Sequence, residues 1–81
     1  MNSATQTASS IHLQSVGECS AKPASEFTPG EKMMWNFGYT STVVAVEDTS
    51  RCFLTFILKG DESGLLSSRR MKKSRLVAFP A

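Results

Sequence analysis

The run at residues 51–59, RCFLTFILK, constrains this chain more than any other segment, because it is apolar on both of its alternating faces. Successive side chains of a strand point to opposite sides. Cys52, Leu54, Phe56 and Leu58 therefore belong to one face, and Phe53, Thr55 and Ile57 to the other. A short run rich in β-branched and aromatic residues, bounded by turn formers, reads as a strand rather than a helix. A core can satisfy one face. The second then needs a neighbouring element or a partner to cover it.

The segments around this run repeat its pattern. Residues 32–37, KMMWNF, place Met33, Trp35 and Phe37 together; residues 40–47, TSTVVAVE, place Thr42, Val44 and Val46 together. A weaker strand follows at residues 65–71 and a short one, RLVAF, at residues 75–79. Gly38, the polar residues 48–50, the loop at residues 59–64 with its two glycines, and the corner at residues 72–74 punctuate them. Pro80 ends the last strand, since it has no N–H to continue a ladder. Residues 27–31, FTPGE, read as a turn that opens the folded part, with Pro29 fixing φ and Gly30 tolerating a positive one. The expected core is Trp35, Phe37, Val44, Val46, Leu54, Phe56, Leu58, Leu76 and Phe79.

Five short strands with no helix-period segment predict an all-β fold that closes into a barrel, because closure removes exposed strand edges. The order of an F-x-P-G-[DE] turn, two long central strands, and a basic corner leading into a Leu-Val strand resembles the SH3-like and KOW-type small barrels of bacterial, phage or plasmid origin. That resemblance implies a five-stranded SH3-like barrel over residues 27–81. Residues 1–26, a mixture of Ser, Thr, Ala and Gln in which Ile11, Leu13 and Val16 form no sustained pattern, read as a flexible N-terminal tail.

At 81 residues the chain is one domain at most. The opening MNSATQTASSIHLQS has neither the basic region nor the apolar stretch of a signal peptide, and CFLTFIL is far shorter than a spanning helix. Cys19 and Cys52 are too few and too unevenly placed for a disulfide framework, which favours free thiols in a reducing cytoplasm. With His12 they cannot make a four-ligand zinc site. No nucleophile–base pair, metal cluster or phosphate-cradling loop stands out, so neither catalysis, a cofactor nor a small-molecule substrate is expected.

Charge is the sharper clue. The formal net charge is only +2, but from Pro29 onward eight bases face five acids, and five of those eight are Arg69, Arg70, Lys72, Lys73 and Arg75. Such a cluster neutralises phosphates, and arginine also stacks on bases. Tyr39, beside Gly38, is the aromatic residue best placed to add stacking. The first functional expectation is a non-catalytic module that touches DNA or RNA through these six residues. The alternative is a protein adaptor, or a self-associating barrel, that uses Phe53, Thr55 and Ile57.

Overall fold

The computed structural model describes residues 9–80. Among the described residues all regular structure is strand apart from two single turns of 3-10 helix. The strands are β1 (Ser9–Leu13), β2 (Gly17–Pro23), β3 (Lys32–Met34), β4 (Thr40–Asp48), β5 (Phe53–Gly60), β6 (Leu66–Lys72) and β7 (Leu76–Ala78). They form one curled antiparallel sheet in the order β1-β2-β7-β3-β4-β5-β6. The five expected strands are all present as β3 to β7. The barrel is not a closed five-stranded one: there are seven strands, β1 and β6 do not pair, and the sheet is a half-barrel.

The two additional strands correct the reading of residues 1–26 as a tail. Residues 9–23 form a hairpin, with Ile11 opposite Cys19 and Ser9 opposite Ala21, and residues 1–8 lie outside the described residues. The hairpin turns through Ser15 and Gly17, both at positive φ. Its partner is β7, with Ala21 opposite Ala78 and Lys22 opposite Val77. Beyond the ladder, the Lys22 ammonium sits 2.6 Å from Glu31 Oε1 and 4.7 Å from the Phe27 ring centre, so a charge and a ring clamp the hairpin to the opening turn. The hydrogen bond from Lys22, more than any other influence, holds the Glu31 carboxyl below the usual range.

The opening turn forms as expected. The Glu31 N–H donates to the Thr28 carbonyl, and Gly30 has φ 97°. That turn then docks on β4, whose Val43 N–H donates to the Glu31 carbonyl at 2.8 Å.

The main core gathers around Phe56, Met33 and Val43, the largest fully buried side chains, with Phe27, Leu54, Leu58, Met71 and Val77. A smaller cluster of Leu13, Cys19 and Ala78, flanked by Ile11 and Met34, exists only because the hairpin is there. Leu54, Phe56 and Leu58 face inward as expected, but Cys52 is exposed in the turn before β5. Val44 is also exposed, because the register slips between Val43 and Ala45. This bulge inserts one residue, so Val43 before it and Val46 after it both reach the core while Val44 points away. Phe37 leaves the core as well: the chain turns out of β3 through Asn36–Gly38, Phe37 sits at φ 68°, and its ring is exposed. Leu76, expected in the core, lies at its margin and is exposed.

Asp61 stands above the β3–β4 end of the sheet. Its carboxylate accepts from Lys32 Nζ at 2.8 Å, Thr40 Oγ1 at 2.6 Å and Thr42 Oγ1 at 2.7 Å. These donors, Lys32 foremost, hold its carboxyl well below the ordinary carboxylate range. A carboxyl that is more acidic folded than unfolded adds stability above its unfolded value of about 4 and loses it as pH falls toward the folded value. Asp61→Asn is therefore expected to lower the urea midpoint at neutral pH and to flatten the fall in midpoint below about pH 4, measured by circular dichroism across that range.

Candidate functional site

The basic segment occupies β6, an edge strand, and the corner that follows it. Pairing with β5 sets Phe53 opposite Lys72, Thr55 opposite Arg70, Ile57 opposite Ser68 and Lys59 opposite Leu66. Paired residues share a face, so Arg70 and Lys72 lie on the same outer surface as Phe53, Thr55 and Ile57. The two sets of candidate residues, read separately from the sequence, meet there. The Arg70 guanidinium lies 4.1 Å from the Phe53 ring centre. Phe53, Thr55 and Ile57 are half-buried, and Arg70 and Lys72 are exposed. Glu47, opposite Thr55 on β4, places one carboxylate on the far side of this surface.

Strand alternation sends Arg69 the other way. It shares the inner face with Met71 and lies 4.4 Å from the ring centre of Trp35, which is half-buried and donates from Nε1 to Ser41 Oγ at 3.1 Å. Arg75 lines the same pocket as Arg69 and Trp35. Burial first, and the nearby charge of Arg75 second, weaken the hold of Arg69 on its proton.

Lys73 belongs to neither surface. Its ammonium pairs with Asp48 at 3.1 Å and its N–H donates to the Cys52 carbonyl at 2.8 Å, so it fastens the corner to the turn before β5. Tyr39 is exposed, but it stands at the Gly60–Leu66 end of the sheet. Lys72 is at the other end of β6, about 20 Å away at the usual strand rise. The six residues grouped by sequence thus fall into an outer pair, an inner pair, one ion-paired corner residue and one distant aromatic.

The remaining charges sharpen the contrast. Among the described residues, Lys22, Lys32 and Lys73 have carboxylate partners, whereas Lys59, Arg69, Arg70, Lys72 and Arg75 form no ion pair. Sequence reasoning missed Lys59 as part of the outer surface, although its place in the alternation Phe53, Thr55, Ile57 was the available signal. It also missed Trp35 as the floor beneath Arg69, a contact between segments far apart in the chain. Among the described residues no group of three or more His, Cys, Asp or Glu is arranged to hold a metal ion, and no helix is long and apolar enough to cross a membrane.

Comparison of the chain with protein-family models, with curated proteins and with solved structures finds no match to any of the three.

Proposed function

We propose that the half-barrel is a small non-catalytic binding module of SH3-like character that holds single-stranded nucleic acid against the outer face of β5 and β6. The observation that carries this reading is the shared surface of Phe53, Thr55 and Ile57 with Lys59, Arg70 and Lys72, three cations without a carboxylate partner among the described residues. Cations along a strand track a phosphate backbone, while a sheet-borne aromatic ring and a planar guanidinium offer stacking surfaces to unpaired bases. A sheet face of this kind presents no helix for a major groove, which favours a single strand over a duplex.

The expected result is a salt-dependent affinity for short single-stranded DNA or RNA, read by fluorescence anisotropy. Three phosphate contacts give a slope of log K against log salt of about −2 for a single strand. The double variant Arg70→Glu with Lys72→Glu is expected to weaken binding by tenfold or more. Binding that is unchanged by salt and by this variant contradicts the proposal.

A second reading has its own observation. Leu65 and Leu66, 71% and 66% exposed, stand at the start of the unpaired β6 edge, and Leu66 shares the outer face. Exposed leucines on an open edge favour contact with another protein or with a second copy of the chain. Association through them persists at high salt, because apolar burial is not screened. Sedimentation at rising concentration and salt separates the two readings.

A further inference from the structure

A pocket of about 220 Å3 opens where the two ends of the half-barrel approach one another. One wall comes from the hairpin and its neighbours, with Ile11, Leu13 and Met34; the other carries Arg69 and Arg75, with Trp35 between. Arg69 and Arg75 both line this pocket, which mixes polar and apolar surface, and neither has a carboxylate partner among the described residues. Two like charges at one pocket repel each other, and an anion bound between them relieves that repulsion. Asn36 also lines the pocket; its Oδ1 accepts from the Gln14 N–H at 2.9 Å, which leaves its amide N–H groups to donate.

The lining narrows the ligand. A phosphate monoester carries between about 1.5 and 2 negative charges at neutral pH, close to the sum of two arginines, and each planar fork can bind it through two hydrogen bonds. A phosphodiester carries only one. The apolar wall calls for an organic body attached to the phosphate. The volume lies below the roughly 300–1,000 Å3 of pockets that enclose drug-sized ligands, so a single terminal unit suits it better than a longer molecule. Arg69 and Arg70 are neighbours on opposite faces of an edge strand, so a nucleic-acid strand on the outer face can turn over that edge and end here.

We propose that this pocket binds a nucleoside 5′-phosphate monoester, with the phosphate between Arg69 and Arg75 and the nucleoside against Ile11, Leu13 and Trp35. The inference rests on the strand-binding reading for the identity of its ligand. The same chemistry can arrive as the phosphorylated end of a strand or as a free nucleotide.

Trp35 is the only tryptophan of the chain and lines this pocket, so its fluorescence reports on binding there. Thymidine 5′-monophosphate is expected to change that fluorescence saturably, with thymidine, inorganic phosphate and N-acetylleucine each at least tenfold weaker. Arg69→Gln and Arg75→Gln are expected to weaken it tenfold or more, and Arg75→Lys, which keeps the charge but loses the fork, by less. A single cooperative melting transition in each variant certifies the fold. A 5′-phosphorylated oligothymidylate is expected to bind more tightly than its 5′-hydroxyl counterpart by at least threefold, a difference abolished in Arg75→Gln. If the monophosphate binds and neither oligonucleotide does, the outer-face reading fails and the pocket stands with a free nucleotide as its ligand. If both oligonucleotides bind equally and the monophosphate leaves Trp35 unchanged, the pocket inference is overturned while the outer-face reading stands. Inorganic phosphate or N-acetylleucine binding as tightly as the monophosphate also overturns it.

Discussion

A chain that begins at Ala24 is expected to lose cooperative folding. Removing the first two strands strips β7 of its longer partner and leaves it the single pairing of Ala78 with Met34. It also uncovers Ala78, otherwise fully buried, by deleting Leu13 and Cys19, and it breaks the Lys22–Glu31 contact that fastens the opening turn. Burying a large aliphatic side chain contributes about 1.5–3 kcal/mol. The lost cluster, pairings and ion pair together reach several kcal/mol. A domain of this size has only about 4–12 kcal/mol in total, at 0.05–0.15 kcal/mol per residue. Urea titration followed by circular dichroism should show a broad, non-sigmoidal loss of signal. A sharp transition within about 1 kcal/mol of the full chain would show that the hairpin is an appendage to an independent five-stranded unit.

The second large effect distinguishes two adjacent valines. Val43 is 1% exposed and touches the core, whereas Val44 is 47% exposed on the far side of the bulge. Val43→Asp places an unpaired carboxylate among Met33, Phe56 and their neighbours, and is expected to destabilise by more than about 4 kcal/mol. Val44→Asp, reaching water, is expected to cost about 1 kcal/mol or less, mainly from strand propensity. Strict alternation through Thr42, Val44 and Val46 demands the reverse order. Urea midpoints of the two variants, measured side by side, decide between them.

That comparison also shows where the sequence was legible. The inward face of β5 could be assigned from residues alone, since Leu54, Phe56 and Leu58 form an unbroken apolar set while Thr55 interrupts the opposite one. The phase of β4 could not, because Val43, Val44, Ala45 and Val46 are apolar on both faces and a bulge leaves no mark in composition. The β1–β2 hairpin was hidden for a different reason. Its inward residues include Cys19 and Ala21, small and weakly apolar, and the spacing of Ile11, Leu13 and Val16 mixes a strand period with the Ser15–Gly17 turn. Its burial is conferred by Met34 of β3 and by Ala78 of β7, the latter from the other end of the chain.

The basic segment was legible as a cluster but not as two surfaces. Alternation along β6 alone separates Arg69 from Arg70; what assigns each a role is the stacking partner, Trp35 or Phe53, and neither is near it in sequence. Lys73 was indistinguishable from its neighbours until the corner brought it to Asp48.

The outer face of β5 and β6 is proposed as the surface that meets nucleic acid. Amide and side-chain shifts recorded during titration of the full chain with a 5′-hydroxyl single-stranded oligonucleotide at low salt test it most directly. Shifts are expected to concentrate at Phe53, Thr55, Ile57, Lys59, Ser68, Arg70 and Lys72, with Lys73 and Tyr39 still. Shifts confined to residues elsewhere, or none at saturating oligonucleotide, contradict it.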